Sequence, residues 1–311
     1  MKLLKIKKIW QQGKHNAFTD LCAYKNQYFC CFREASAHIS RIGIIRILVS
    51  DDLNSWRLIS TIRTHQCDLR DPKISISFDG KLVLSYLKVT FNDIGKPKAS
   101  HNCISSSYTG TSWSQPKIFA DDNWWLWRIC WIGKEALGIG YNYQEGCVRL
   151  YKGDPNRKFS CIDNNLFGLK RYQKGYPNES DIVFLKTGVA VCVLRRDADT
   201  ASAQLGLSHP PYTQWHWHDL GCFVGGPALI VDENDNILLS GRSWDIEQGA
   251  KTRLWQVNLQ QKLIAPIMTL PSAGDTSYPG MIIVDKILYI SYYSSHQQNK
   301  SSIYLAKIEM D

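Results

Sequence analysis

An arginine closes each of three apolar runs in this sequence: Arg33 in QYFCCFRE, Arg195 in VAVCVLRRD and Arg242 after NILLSG. Planar guanidinium forks are the donors best matched to a carboxylate, so three that converged would hold an anionic ligand. The chain also carries Asp71 in Asp68-Leu69-Arg70-Asp71-Pro72-Lys73, Glu179 in YPNESDIVF, and Tyr278 in Gly274-Asp275-Thr276-Ser277-Tyr278-Pro279-Gly280. A phenol, with an ordinary pKa of about 10, attacks only if a neighbouring base takes its proton. Being neutral, it escapes the repulsion that a carboxylate nucleophile would meet from an anionic substrate. An aspartic acid such as Asp71 becomes a proton donor when burial raises its pKa.

Each residue also has a structural reading. A strand-end arginine commonly serves an ion pair, an Asp before Pro commonly forms a turn, and Tyr278 before Pro279 can be a packing aromatic. Arg70 is an alternative ligand to Arg33, and Asp68 is an alternative acid to Asp71. Arg195 and Arg196 are adjacent on one strand, so they point to opposite faces and only one can join a given site.

The elements that must position these residues read as strands. Short runs such as IIRILVS, KLVLSYLKV, ALGIGYNY, VAVCVL and KILYISYY recur with turn signals between them, as in FDG before Lys81 and ENDN before Ile237. No long segment sustains 3.6-residue apolar periodicity, so helical and βαβ folds are disfavoured. The 11 Trp and 15 Tyr against 4 Met fit a β-rich chain. With 44% hydrophobic residues the chain is too apolar for disorder. No stretch approaches the ~18 consecutive apolar residues of a spanning helix, so no membrane span is expected.

The formal charge of +9 is scattered, with its densest cluster at Lys5 to Lys8, and it does not single out nucleic acid. The start, MKLLKIKKIW, lacks the apolar core of a secretory signal, which points to the cytoplasm and to reduced thiols. The ten cysteines form no C-x-x-C pair and mostly lie in apolar runs, so they read as core. His216 and His218 would share a strand face, but no third ligand stands at a metal-site spacing; neither a metal nor a cofactor is expected. The run Trp124-Trp125-Leu126-Trp127 with Trp131 reads as blade packing or a sugar-stacking platform. No phosphate-binding loop or nucleophile elbow is present, and Gly225-Gly226-Pro227 reads as a tight turn.

One local pattern chooses among β architectures. Ser50-Asp51-Asp52-Leu53-Asn54-Ser55-Trp56 resembles the Asp box, a Ser-x-Asp-x-Gly-x-x-Trp turn between the outer strands of propeller blades, although it is one residue short. Ser107 to Trp113 is a second copy with Thr109 at the Asp position, and Ser208 to Trp215 is a poorer third. Blades typically take ~40–50 residues, so six of about 52 fit the chain better than five of about 62. The expected fold is all-β, a single six-bladed propeller over residues 1–311.

With the ordered set Arg33, Asp71, Glu179, Arg195, Arg242 and Tyr278, the chain resembles the sialidase superfamily of glycoside hydrolases. That resemblance implies Tyr278 and Glu179 as nucleophile pair, Asp71 as acid and base, and Arg33, Arg195 and Arg242 as carboxylate clamp. Arg70, Arg196 and Asp275 complete the candidate substrate-binding set. Sialidases depart from the two-carboxylate glycosidase scheme in using a Tyr nucleophile. FREASAH differs from the family's Arg-Ile-Pro, and the motifs suggest a divergent branch. The implied partner is an acidic sugar or glycoconjugate. Two rivals stand beside this reading: a non-catalytic propeller that binds carbohydrate or protein, and a five-bladed glycosidase using Asp20, Asp71 and Glu179.

Overall fold

The computed structural model describes residues 1–297 and 300–310. Its strands form six four-stranded antiparallel units arranged by sequence order around an axis. Blade one runs outward as His15–Tyr24, Gln27–Ala35, Gly43–Ser50 and Arg57–Ile62. Blade two follows as Cys67–Ile76, Leu82–Phe91, Pro97–Ser107 and Lys117–Ile118, joined to blade one by a single parallel bridge between Gly43 and Asp68. Blade three comprises Trp125–Ile132, Glu135–Asn142, Cys147–Asp154 and Lys158–Gly168. Blade four comprises Pro177–Phe184, Ala190–Arg196, Gln204–Ser208 and His216–Asp219. Blade five is Gly225–Val231, Ile237–Asp245, Gly249–Asn258 and Leu263–Leu270. Blade six takes Ser277–Val284, Ile287–Ser294 and Ser302–Glu309 from the end of the sequence and Lys2–Trp10 from its start.

That last pairing, between Lys2–Trp10 and Ser302–Glu309, closes the ring. The innermost strands touch in order around the axis, and blade six meets blade one. Six blades exclude the five-bladed rival. A four-residue helix, Leu169–Tyr172, follows blade three. No helix among the described residues is long and apolar enough to cross a membrane.

Burial falls from the axis outward: His15–Tyr24 is buried at nearly every position, whereas Arg57–Ile62 is buried at none. Much of the core lies between neighbouring blades. Val191, Val193 and Leu205 of blade four pack against Leu239 and Trp255 of blade five, and Leu238 and Leu254 of blade five share a cluster with Ile290 and Tyr304 of blade six. The inner strands bring together the rings of Phe18, Trp127 and Tyr278 and the charged groups of Asp20, Arg128 and Asp181. Of the ten cysteines, all free thiols, six are buried.

The three Ser…Trp turns all join the third and fourth strands of their blades. In the first, Asp52 Oδ1 accepts from the amides of Asn54 and Ser55 at 2.8 and 2.6 Å and from Ser50 Oγ at 3.0 Å. Those amide bonds draw the carboxyl down to about 2. In the second, which lacks the Asp, Ser107 Oγ accepts from the Gly110 amide and Trp113 Nε1 donates to the Gly110 carbonyl. A Trp-to-backbone bond recurs between Trp215 and Tyr212 in the third.

Candidate active site

The innermost strand of every blade carries the same irregularity. Two of its residues face one on the neighbouring strand, between Ala17 and Asp20, Arg70 and Lys73, Leu126 and Ile129, Pro177 and Ser180, Gly225 and Ala228, and Ser277 and Gly280. Such a bulge ends regular pairing and re-aims side chains. The bulged pairs are Phe18-Thr19, Asp71-Pro72, Trp127-Arg128, Asn178-Glu179, Gly226-Pro227 and Tyr278-Pro279. Asp71 and Tyr278 therefore hold the first bulged position of blades two and six, and Glu179 the second of blade four. Phe18, Asp71 and Tyr278 adopt left-handed backbone, with φ of 61°, 49° and 49°. Few side chains tolerate that conformation without support from the surrounding fold.

Tyr278 Oη donates to Glu179 Oε1 at 2.8 Å. Arg195 Nη1 lies 2.9 and 2.8 Å from the two Glu179 oxygens and 2.9 Å from Tyr278 Oη, while its Nε donates to Asp197 at 2.8 Å. The Tyr278 ring meets Phe18 and Trp127 edge-on at 5.2 and 5.4 Å, with the Arg242 guanidinium 4.9 Å from its centroid. Burial pushes the phenol well above its ordinary value, Glu179 pushes the same way, and Arg195 and Arg242 oppose them. A free phenolate is thus disfavoured, and the tyrosine can lose its proton only to a bonded base. Gly226 clears the remaining side: a Cβ there would stand 2.7 Å from a Tyr278 ring carbon.

Asp71 is buried, and its Oδ1 has no hydrogen-bond partner among the described residues. Burial raises its pKa against the pull of Arg70 and Lys73, and Glu179 adds to the rise. Arg70 stays partly open, 3.9 Å from Asp68, with its guanidinium over the rings of Trp125 and Phe18 at 5.2 and 5.5 Å. Arg242 Nη2 contacts Asp275 Oδ1 at 3.1 Å and Tyr293 Oη at 3.0 Å, and its Nε donates to the Thr276 carbonyl.

Three of the sequence candidates lie elsewhere. Arg33 is wholly buried, its Nε and Nη2 donating to the two Asp68 oxygens at 2.7 and 2.9 Å and its Nη1 to the Ala37 carbonyl. Asp68 is spent on the same pair, which removes it as an alternative acid. Arg196 is buried as well and serves Asp199 and the Gly175 carbonyl, so strand alternation gives the pocket to Arg195. Asp71, Glu179 and Tyr278 lie inside the innermost strands of their blades, at the bulges. The bulges interrupt the period-2 pattern that would have revealed this.

Several residues that sequence reasoning missed hold the site in place. Thr19 Oγ1 donates to the Tyr278 carbonyl at 3.0 Å. Arg128 Nη2 donates to the Pro279 carbonyl at 2.7 Å, its Nη1 to Asp20 at 2.9 Å, and its Nε stands 3.6 Å from Asp181. Lys73 is buried beside them with its Nζ 4.5 Å from the Trp127 centroid, and burial lowers its pKa. Of the tryptophan run, Trp127 thus lies under Tyr278, whereas Trp125 stacks on Tyr141 beside a cavity of about 510 Å³ reaching Tyr143. His15, at the start of blade one, and His38, in the loop after Gln27–Ala35, both approach Asp275 Oδ2 at 2.8 Å. Burial opposes ionisation of Asp275, but these contacts and the Tyr293 bond outweigh it and hold the carboxyl far below its usual range. Only a long-range pairing joins these three, and no local spacing announces it.

No family model and no curated protein matches the sequence. Solved structures match over the whole chain. A protein of unknown function from Dyadobacter fermentans superposes with a TM-score of 0.81 at 15% identity, covering 100% of this chain and 99% of that one. The Penicillium chrysogenum α-L-arabinanase, complexed with arabinobiose, gives 0.75 at 12% identity and 99% of both chains. The Trypanosoma rangeli sialidase gives 0.69 at 10% identity over 96% of this chain and 55% of its own. The chain has the sialidase-like propeller fold, shared here by glycoside hydrolases that act on different sugars.

Proposed function

We propose that the chain, acting as one propeller over residues 1–311, is a retaining glycoside hydrolase with Tyr278 as its nucleophile. The observation that carries this reading is the 2.8 Å bond from the Tyr278 hydroxyl to Glu179, where burial disfavours a free phenolate. In the first step the Tyr278 oxygen attacks the anomeric carbon while Glu179 takes the phenol proton. The bond to the leaving oxygen breaks as that oxygen receives the Asp71 proton. In the second step a water attacks the anomeric carbon and gives a proton to the Asp71 carboxylate, and the released Tyr278 oxygen recovers its proton from Glu179. Buried Asp71 with a raised pKa suits the acid role. Arg195 and Arg242 would steady charge near the phenol oxygen.

For an acidic, sialic-acid-like sugar, Arg70, Arg195 and Arg242 are the guanidiniums within reach. One observation favours a neutral sugar instead: Arg195 already carries Glu179 and Asp197, Arg242 carries Asp275, and Arg33 is closed on Asp68. The arabinanase likeness agrees with that second reading. Hydrolysis of a panel of chromogenic sialosides, uronosides and arabinofuranosides measures the choice directly. Turnover on any member should fall at least a hundredfold in Tyr278→Phe, and a fluorinated glycosyl fluoride of the preferred sugar should label Tyr278 in the wild type. Full activity in Tyr278→Phe sinks the nucleophile assignment. Binding of the sugars without turnover, unchanged in Asp71→Asn and Glu179→Gln, would make the propeller a non-catalytic platform.

A further inference from the structure

Beside the Tyr278 pocket, three segments far apart in sequence bring two imidazoles and a carboxylate to one point. His15 Nε2 and His38 Nδ1 each lie 2.8 Å from Asp275 Oδ2, and the three ligand atoms fall within 4.8 Å of one another. The other carboxylate oxygen is already engaged, by Tyr293 Oη at 2.7 Å and Arg242 Nη2 at 3.1 Å. That division leaves Oδ2 as the ligating atom and supplies the outer hydrogen bonds that orient a metal-binding carboxylate. His15 is buried with its ring 6.3 Å from those of Phe18 and Tyr293, whereas His38 and Asp275 are part-exposed and give a way in from solvent.

We infer that His15, His38 and Asp275 bind one divalent transition metal of the zinc class at the rim of the pocket. Two imidazoles and a carboxylate suit zinc better than the all-oxygen shells of calcium or magnesium. Three protein ligands leave a fourth position open for water or a sugar hydroxyl. Ligands about 2.0–2.2 Å from a tetrahedral ion are about 3.3 Å apart, so the contacts must open by roughly half an ångström. The exposed His38 loop can supply that movement. The bound dication would take over the charge of Asp275 and loosen its hold on Arg242.

The test is independent of hydrolysis. Untagged chain is equilibrated with Zn²⁺, desalted and assayed for metal per chain, and a parallel sample receives Co²⁺ for its visible spectrum. About one tightly held zinc per chain and an intense tetrahedral cobalt band are expected. His38→Ala and Asp275→Asn should each weaken binding at least tenfold. His101→Ala, which removes a different imidazole–carboxylate pair on the surface, should bind as the wild type does. A wild type that retains no zinc, or a His38→Ala chain that binds as tightly, overturns the site and leaves a hydrogen-bonded His–Asp–His cluster. Circular dichroism and thermal unfolding of His38→Ala separate a lost ligand from a lost fold.

Discussion

Asp71 shows how one residue is tuned by its surroundings. Its carboxyl is buried, one oxygen lacks a partner among the described residues, and burial raises its pKa above the ordinary 3.8. Because the folded value is raised, the stability this group contributes is present at acid pH and is lost as pH rises through that value, when a charge must stay buried. Asp71→Asn keeps a side chain that tolerates the left-handed φ of 49° and removes the charge. Its melting temperature should therefore exceed that of the wild type at neutral pH, the difference shrinking as pH falls through the raised value and vanishing below the ordinary 3.8. The same variant should lose about 10²–10⁴-fold in kcat/KM and the alkaline limb of the pH–rate profile. A lower melting temperature at neutral pH, or an unaltered limb, would count against the acid role.

The bulged inner strand is the element that makes the site. In five blades its first bulged position holds Phe18, Asp71, Trp127, Asn178 or Tyr278, and in blade five it holds Gly226. The glycine has two causes: a φ of 53°, and a Tyr278 ring standing where a Cβ would go. Gly226→Ala should cost about 1–3 kcal/mol in urea unfolding through backbone strain. It should also displace the phenol from Glu179, lowering kcat more than it raises KM. An alanine variant with wild-type stability and rate would show that the close approach is not tight.

At the scale of the whole molecule, Arg128 ties the ring together. From blade three it reaches Asp20 of blade one, Asp181 of blade four and the Pro279 carbonyl of blade six. Removing it leaves two buried carboxylates without their cation, and breaking such a cluster costs about 3–5 kcal/mol. Arg128→Met should unfold at correspondingly lower denaturant. Because Pro279 follows Tyr278, the proposed nucleophile, activity should fall at temperatures where the variant is still folded. A variant with unchanged midpoint would show that the blade contacts alone close the propeller.

Alternation and turn residues were enough to read strands, the Ser…Trp turns of residues 50–56 and 107–113 to read blades, and the chain length against a typical blade to read six of them. The strand and turn signals are local, since each depends on side chains a few residues apart. Glu179, Arg195, Arg242 and Tyr278 were legible as a set from their order along the chain, which resembles the sialidase order; they lie on the first two strands of blade four, the second of blade five and the first of blade six. What only the tertiary structure decided is where each charge goes. Arg33 turned inward to Asp68 because the neighbouring blade offers a buried carboxylate there, and Arg196 turned away from the pocket by strand alternation. His15, His38 and Asp275 meet only because the ring closes and brings the end of the chain back against blade one. Partners that distant leave no spacing to read, so their meeting is a property of the closed propeller alone.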